Sequence, residues 1–235
     1  MIMNNLVIDN GVLTEHVILS ETEADVFIPG GTVAIGEEVF RGCKNIKSVI
    51  IPDSVLRIED FAFQSCTGLE SIIIPGSVRT VGACAFEYCE GLKALSILDG
   101  VKTIDDAAFA MCDKLTSVVI PDSVTSLGRS AFSSCESLLS VNIPGSIRVV
   151  SESAFVFCKS LTTVVIEEGV GAIEAEAFCE CNKLRTVVIP KSVSHIDDSA
   201  FENSNNVTIY APSGSFAEKF ANKKGLSFVA CKNLL

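Results

Sequence analysis

The residues of this 235-residue chain that are best equipped for chemistry are its ten cysteines. Seven recur once every 23 residues, at Cys43, Cys66, Cys89, Cys112, Cys135, Cys158 and Cys181. Parallel Cβ vectors and an odd count disfavour disulfides within this column. A metal site is also disfavoured, because no CxxC pair is present and the only histidines are His16 and His195. We predict reduced thiols that fill a small apolar niche.

Two of the three cysteines outside this column are expected to face solvent. Cys84 aligns with Glu38 of another copy of the repeat, and Cys179 aligns with Arg41. Because polar residues occupy the same positions elsewhere, we expect thiol reagents to label Cys84 and Cys179 quickly and the seven-membered column slowly.

No group of residues in the sequence has the pattern of a catalytic site. The sequence contains no glycine-rich phosphate loop, and no nucleophile occurs with a recognisable base and orienting group. Only two histidines are available for proton transfer. We therefore predict that the chain is not an enzyme and that it has no catalytic, metal-binding or cofactor-binding residues.

Carboxylates form an acidic ridge before the Ala-Phe pair of most copies. Its members are Glu37, Glu38, Glu59, Asp60, Asp105, Asp106, Glu152, Glu174, Glu176, Asp197 and Asp198. Calcium binding requires oxygens that converge on one point, whereas a ridge spreads them out. We expect the ridge to solvate the molecule and to stabilise the start of each following turn.

The elements that position these residues repeat with a fixed period. Phenylalanine occurs once every 23 residues, at Phe40, Phe63, Phe86, Phe109, Phe132, Phe155, Phe178 and Phe201. A constant period in the twenties is the signature of a solenoid, in which each short unit covers the apolar face of the next. We predict one elongated body with these phenylalanines in its core.

Each copy predicts a strand, a turn, an arm and a second tight turn. The LxxVxIP segment has the alternation of a strand, so Val49 points inward and Ile50 outward. Proline ends the pairing in most copies. The following SVxxI segment predicts a brief strand or extended arm, and AFxxC predicts a single helical turn.

The combined pattern, LxxVxIPxSVxxIxxxAFxxC, resembles the leucine-rich repeats of the BspA-like type. The resemblance implies a leucine-rich repeat solenoid (α/β or mainly β) that is capped at both ends. It would have a single parallel strand ladder on one face and short arms and helical turns on the other. Residues 1–25 would form an N-terminal cap or half-repeat, 26–212 eight repeats with the last one shortened, and 213–235 a helix–strand cap.

Both the turns and the C-terminus carry features of their own. Gly100 and Gly169 replace the turn serine, and Ser204 replaces the last cysteine of the column. Phe216 and Phe220, four residues apart, predict an amphipathic helix that ends at Gly225. We expect this helix to cover the last repeat, since an open solenoid end would expose core side chains.

The outward strand positions are the best candidates for contact with a partner. They are small or β-branched and uncharged, at Ile50, Ile73, Ser96, Val119, Asn142, Val165 and Val188. Charged residues that vary between copies flank them at Lys47, Glu70, Lys93 and Arg185. A contiguous apolar stripe suggests recognition of a partner, although β-branched residues also favour exposed sheet positions by propensity alone.

The charge of the chain restricts the kind of partner. A formal net charge of −11 disfavours nucleic acid and anionic membranes, and no apolar run is long enough to insert into a membrane. The first residues lack a basic segment followed by an apolar one, so no export signal is expected. That expectation and the reduced cysteines favour the cytoplasm, whereas the BspA-like resemblance implies the cell surface or secretion.

Two functions remain open at this level. The first is a non-catalytic scaffold that recognises or adheres to another protein through the exposed strand face, as the resemblance implies. The second is a structural or self-associating module with lateral or end-to-end contacts. We expect a monomer or weak self-association, and the partner's identity is not encoded in any motif.

Overall fold

The computed structural model describes residues 5–17 and 24–231. The expected N-terminal and C-terminal caps therefore extend partly outside the described residues. The chain begins with a hairpin in which β1 (Asn5–Asp9) pairs antiparallel with β2 (Val12–Val17). Asn10 and Gly11 connect the two strands with φ values of 49° and 81°. Two positive φ values are typical of the hairpin turn whose twist matches that of the strands.

The main ladder consists of parallel strands from successive copies. Its strands are β3 (Ala24–Phe27), β5 (Ile46–Ile50), β7 (Ser71–Ile74), β9 (Ala94–Ile97), β12 (Ser140–Ile143), β14 (Thr163–Ile166), β16 (Thr186–Val188), β18 (Thr208–Ala211) and β19 (Ser227–Ala230). Residues 117–120 form no strand, so the ladder is divided into β3-β5-β7-β9 and β12-β14-β16-β18-β19. The sequence predicts an unbroken ladder, and nothing in the structure explains this interruption.

The arms form a second parallel ladder, which is more regular than the sequence predicts. Its strands after β2 are β4 (Ala34–Ile35), β6 (Arg57–Ile58), β8 (Thr80–Val81), β10 (Thr103–Ile104), β11 (Ser126–Leu127), β13 (Val149–Val150), β15 (Ala172–Ile173) and β17 (His195–Ile196). This ladder is interrupted between β11 and β13. Near that point the hydroxyls of Ser146 and Ser151 donate to the carbonyl oxygens of Val124 and Leu127, at 2.6 and 2.5 Å.

The AFxxC segment contains consecutive turns instead of the single helical turn that the sequence predicts. Phe61 and Ser65 have φ values of 57° and 60°, and a right-handed helix cannot contain positive φ. Alternate amides donate to the next copy, as Phe63 N–H does to the Ala85 carbonyl at 2.7 Å. These bonds between copies explain why non-glycine residues accept a left-handed backbone here.

The core is a stack of phenylalanine rings, as predicted from the 23-residue period. From Phe40 to Phe201, successive ring centroids are 5.0 to 5.6 Å apart and the planes lie within 13° of parallel. Phe40 through Phe178 are fully buried, and Phe201 is only 6% exposed. Stacking of this kind adds to the free energy that burial of each ring contributes.

The C-terminal helix covers the last ring of this stack. Helix α1 (Phe216–Lys224) begins at the N-cap Ser215 and ends at Gly225, whose φ of 68° closes the helix as predicted. The Phe220 ring contacts Phe201 at 6.0 Å between centroids. Phe216, which was also expected to face the core, is 38% exposed. No helix within residues 5–17 and 24–231 is long and apolar enough to cross a membrane.

The turn that follows the strand has a second period, three repeats long, which the sequence reasoning missed. Gly31, Gly100 and Gly169 have φ values of 88°, 117° and 116° and recur every third copy. A Cβ on Gly76 would lie 2.0 Å from the Asp99 carbonyl oxygen, so two successive turns pack backbone against backbone. A Cβ on Gly145 would likewise lie 2.0 Å from the Glu168 carbonyl oxygen. Leu98 and Glu167 occupy the proline position in the copies that carry Gly100 and Gly169.

Candidate partner-binding face

The strand face, defined as the outward column of the main ladder, is most apolar and most exposed in its N-terminal half. Ile50 and Ile73 are 55% and 58% exposed on β5 and β7, and Val119 is 76% exposed. Their inward neighbours are buried because side chains alternate along a strand. Ile50 and Ile73 lie on paired strands and have little backbone freedom, whereas Val119 belongs to residues 117–120, which form no strand.

Two further residues extend this surface, and the sequence reasoning missed both. Phe27 on β3 is 59% exposed and stands at the head of the same column, in the VFIP segment that matches the VxIP pattern. Leu98 replaces proline after β9 and is 46% exposed. We call Phe27, Ile50, Ile73, Leu98 and Val119 the apolar patch. Ile50, Ile73 and Leu98 line a shallow groove on this patch.

The C-terminal half of the strand face is less suited to apolar contact. Val165 and Val188 lie on β14 and β16 but are only half-exposed. The amide of Asn142 donates to the Glu167 carboxylate at 2.6 Å, so its polar group is already paired within the chain. Ser96 is exposed but offers a hydroxyl instead of an apolar side chain.

Three of the charged residues that flank the strand face form ion pairs with one another, and the fourth lies far from them. Glu70 forms ion pairs with Lys93 at 2.9 Å and with Lys47 at 3.4 Å. Hydrogen bonding and charge from Lys93, and then from Lys47, lower the pKa of Glu70. Arg185 lies beside β16, four copies further along, and is not part of this group. The side chains of both ion pairs are about one third to just over one half exposed, so the pairs add little stability.

The opposite flank of the apolar patch carries three carboxylates that form no ion pair with any residue that the structure describes. Asp53, Asp99 and Asp122 follow the strand segments of successive or nearby copies, and all three are exposed. Among the residues that the structure describes, none forms an ion pair with these three carboxylates. We call these three residues the acidic rim. The rim gives one edge of the apolar patch a negative charge of its own.

The acidic ridge lies elsewhere and caps backbone groups of the next copy. The Asp60 carboxylate accepts the Ala83 N–H at 2.8 Å, and the Asp106 carboxylate accepts the Arg129 N–H at 2.6 Å. Within residues 5–17 and 24–231, no group of three histidine, cysteine or acidic side chains is arranged to hold a metal ion. These carboxylates are therefore explained by their hydrogen bonds to the backbone of the adjacent turn.

The cysteine column is a ladder of thiol hydrogen bonds. Each thiol from Cys66 to Cys181 donates to the carbonyl oxygen of the phenylalanine 26 residues earlier, at 3.1 to 3.4 Å. Ser204, the one departure from cysteine, makes the same bond to Phe178 at 2.8 Å. Burial raises the pKa of Cys89 and Cys135 to about 12. None of the ten cysteines, all of which the structure describes, forms a disulfide, and the buried ones are protonated donors at neutral pH.

Cys179 is buried, which corrects the expectation that it faces solvent. It is 8% exposed. The same position in other copies is occupied by Gln64, Ala110 and Val156, which are also buried, so the comparison with Arg41 was misleading. Cys43, the first member of the column, is half-buried instead of fully buried. Cys84 is half-buried, close to expectation.

Native thiol labelling should therefore modify three of the ten cysteines, because Cys43, Cys84 and Cys231 are the half-buried ones and seven are buried. Burial, followed by the charge of Glu87, raises the pKa of Cys84 to about 11. Its reaction rate should rise about tenfold per pH unit between pH 7 and 10, as the thiolate fraction grows. Mass spectrometry after labelling with iodoacetamide measures both the number of modified cysteines and the rate at which Cys84 reacts.

The matched control is Cys84→Ser, because serine occupies the same left-handed position at Ser130 and Ser153. This variant should lose one rapid modification and keep the other two. Rapid native labelling of Cys179, or of all ten cysteines, would contradict the burial described above.

Comparison with known proteins agrees with the repeat solenoid described above. A model of the BspA-type leucine-rich repeat region matches six copies, over residues 22–117 and 79–208. A leucine-rich repeat protein from Bacteroides ovatus is 25% identical, with a TM-score of 0.68 over 96% of this chain and 64% of that one. A leucine-rich cell surface protein from Faecalibacterium prausnitzii is 29% identical, with a TM-score of 0.55 over 90% of this chain and 63% of that one.

A third similar structure supports the fold alone. The leucine-rich repeat protein of T. pallidum is 23% identical, with a TM-score of 0.61, and the match covers 97% of this chain and 96% of that one. The chain spans less than two thirds of the length of the B. ovatus and F. prausnitzii proteins. No curated protein matches the chain.

Proposed function

Because the chain belongs to the BspA-type leucine-rich repeat family, we propose that it is a non-catalytic scaffold that binds another protein through the apolar patch of its strand face. The observation that carries this proposal is the exposure of Phe27, Ile50, Ile73 and Val119, each of which is more than half exposed. Large apolar side chains that are aligned on one rigid surface gain free energy when a partner removes them from water.

The size of the patch indicates what the partner must do. Strands about 4.8 Å apart place the patch along roughly 19 Å of the ladder, and a width of about 12 Å gives an area on the order of 230 Å². A standard interface buries about 800 Å² on each partner. A stable partner must therefore also contact the neighbouring turns, whose residues differ from copy to copy.

The comparisons support adhesion or recognition over catalysis. Repeat solenoids of this family are typically interaction scaffolds, and the F. prausnitzii relative is described as a cell surface protein. A surface location would favour an adhesive function for this chain as well. The partner is then a protein on another cell or in the surrounding medium.

The experiment compares capture of a partner by matched variants. Ile73→Asp with Val119→Asp should abolish capture of the same protein that the wild type retains, because two charges then lie in the apolar patch. The control is Glu37→Lys with Glu90→Lys, two exposed carboxylates outside the strand face, which should leave capture unchanged. Equal capture by the patch variant, or loss in the control variant alone, would contradict the proposal.

Self-association through the same patch is the alternative, and light scattering separates the two. A binding scaffold should remain a monomer at high protein concentration. A dimer that Ile73→Asp with Val119→Asp converts to a monomer would instead support a self-associating module.

A further inference from the structure

We propose that the partner segment seated on the apolar patch is a cationic amphipathic α-helix. This inference rests on the proposed function and adds the chemistry and the secondary structure of the partner. The spacing of the exposed side chains, the charges that border them and the contrast between the two halves of the strand face all support it.

The spacing of the patch favours a helix over an extended peptide. The rungs of a parallel ladder are about 4.8 Å apart. A helix presents the same face once per turn, about every 5.4 Å, whereas a strand does so about every 6.7 Å. Over the four steps from Phe27 to Val119, the turns of a helix of about 13 residues drift by only about 2.4 Å, or half a rung, from the ladder. An extended peptide loses the register within two or three rungs.

The groove on the patch offers seats for the side chains of such a helix. Its lining includes Ile50, Ile73, Pro75 and Leu98, together with Ser48 and Ser71. Leu98 is part of this lining at a position where most copies have proline. A helix would bury its leucine-like side chains between the rungs, which is the usual mode by which amphipathic helices bind apolar surfaces.

The charges around the patch require the helix to be basic on one side. Asp53, Asp99 and Asp122 line one flank, are exposed and form no ion pair among the described residues, although Arg79 donates to the Gly100 carbonyl oxygen, next to Asp99, at 2.9 Å. On the other flank, the two lysines near Glu70 are already paired with it. Lysine or arginine on the partner would form ion pairs with these carboxylates, and an acidic helix would be repelled.

The C-terminal half of the strand face lacks these features. Its outward residues are Asn142, which is bonded to Glu167, and the half-exposed Val165 and Val188. At the turn position that Asp53, Asp99 and Asp122 hold in earlier copies, this half has Gly145, one exposed carboxylate, Glu168, and one cation, Lys191. A cationic helix would therefore be confined to the N-terminal half.

The test is a fluorescence titration of the full chain with defined 14-residue peptides. The probe has leucine on one helical face and lysine on the other, and two controls replace lysine with glutamate or scramble the order so that no apolar face forms. We expect binding of the first peptide only, with affinity that falls as salt rises. Equal binding of the scrambled peptide, or tighter binding of the glutamate peptide, would overturn the inference.

Matched variants locate the site. Asp53→Lys with Asp99→Lys should weaken binding roughly tenfold or more, whereas Glu37→Lys with Glu90→Lys changes the net charge equally and should have little effect. Ile73→Ser should weaken binding, and Leu56→Ser, which removes a leucine that is 47% exposed on an arm, should not. Equal losses in the rim and control pairs would overturn the inference.

Failure of the helix inference can be distinguished from failure of the proposed function. If the patch variants lose the natural partner but the cationic peptide neither binds nor competes with it, the scaffold proposal stands and the helix inference fails. If the patch variants keep the natural partner, the proposed function itself fails.

Discussion

Phe109→Ala should lower the free energy of unfolding by about 3 to 5 kcal/mol. The Phe109 ring is fully buried and stacks on Phe86 at 5.2 Å and on Phe132 at 5.4 Å between centroids. Its removal leaves a cavity in the middle of the stack and weakens the contacts of both neighbouring copies. Urea denaturation followed by circular dichroism measures the effect.

Two controls separate the loss of stacking from a general effect of the substitution. Phe157→Ala removes a ring that is 44% exposed and should have a much smaller effect. Phe109→Leu keeps most of the buried volume and should fall between the two. Equal destabilisation by Phe109→Ala and Phe157→Ala would contradict the description of the core.

Gly76→Ala should have the second largest effect, at about 2 to 3 kcal/mol. The added Cβ would lie 2.0 Å from the Asp99 carbonyl oxygen, and a backbone atom cannot move aside without displacing the whole turn. Because the displaced turn carries Leu98, the same variant should also weaken partner binding. Thermal and urea denaturation measure the loss of stability.

Gly30→Ala is the matched control, since Gly30 occupies the same position of the repeat as Gly76. A Cβ on Gly30 would meet nothing within 4 Å. The stability of the Gly30→Ala variant should be unchanged or slightly raised, because alanine restricts the conformations of the unfolded chain. Should both variants lose the same stability, close packing between the turns would not be the cause.

The fold was predictable because the 23-residue period reports directly on packing. Each copy must bury the same face, so Phe109 and Val49 could be placed in the core from their columns alone. The C-terminal helix was likewise predictable from Gly225 and the apolar spacing of its neighbours. Only the exposed position of Phe216 differed, because the helix contacts the last repeat through a narrower face than four-residue spacing suggests.

The turns could not be predicted because interactions between copies override local preference. Phe61 and Ser65 adopt positive φ, which the residue types alone disfavour. Their amides donate to the next copy, at Ala83 and Glu87, and that arrangement is visible only in three dimensions. The pairing of Gly76 with the following turn did leave a signal, in the recurrence of glycine every third copy.

The candidate site was predicted in part. The column from Ile50 to Val188 follows from alternation along the strand, but the alternation does not report how far each side chain is exposed. Phe27 was overlooked although its segment matches the strand pattern. Cys179 was misplaced because its comparison with Arg41 outweighed Gln64, Ala110 and Val156, which occupy the same position and are buried.

The most direct test of the binding surface is NMR of the chain labelled at isoleucine methyl groups, titrated with the lysine–leucine peptide. Ile50 and Ile73 are exposed on the apolar patch, whereas Ile196 and Ile209 are buried near the C-terminal end. The methyl signals of Ile50 and Ile73 should shift or broaden, and those of Ile196 and Ile209 should not. Shifts confined to methyl groups outside the patch, or no shift at a concentration that saturates binding, would contradict the assignment of the apolar patch as the binding surface.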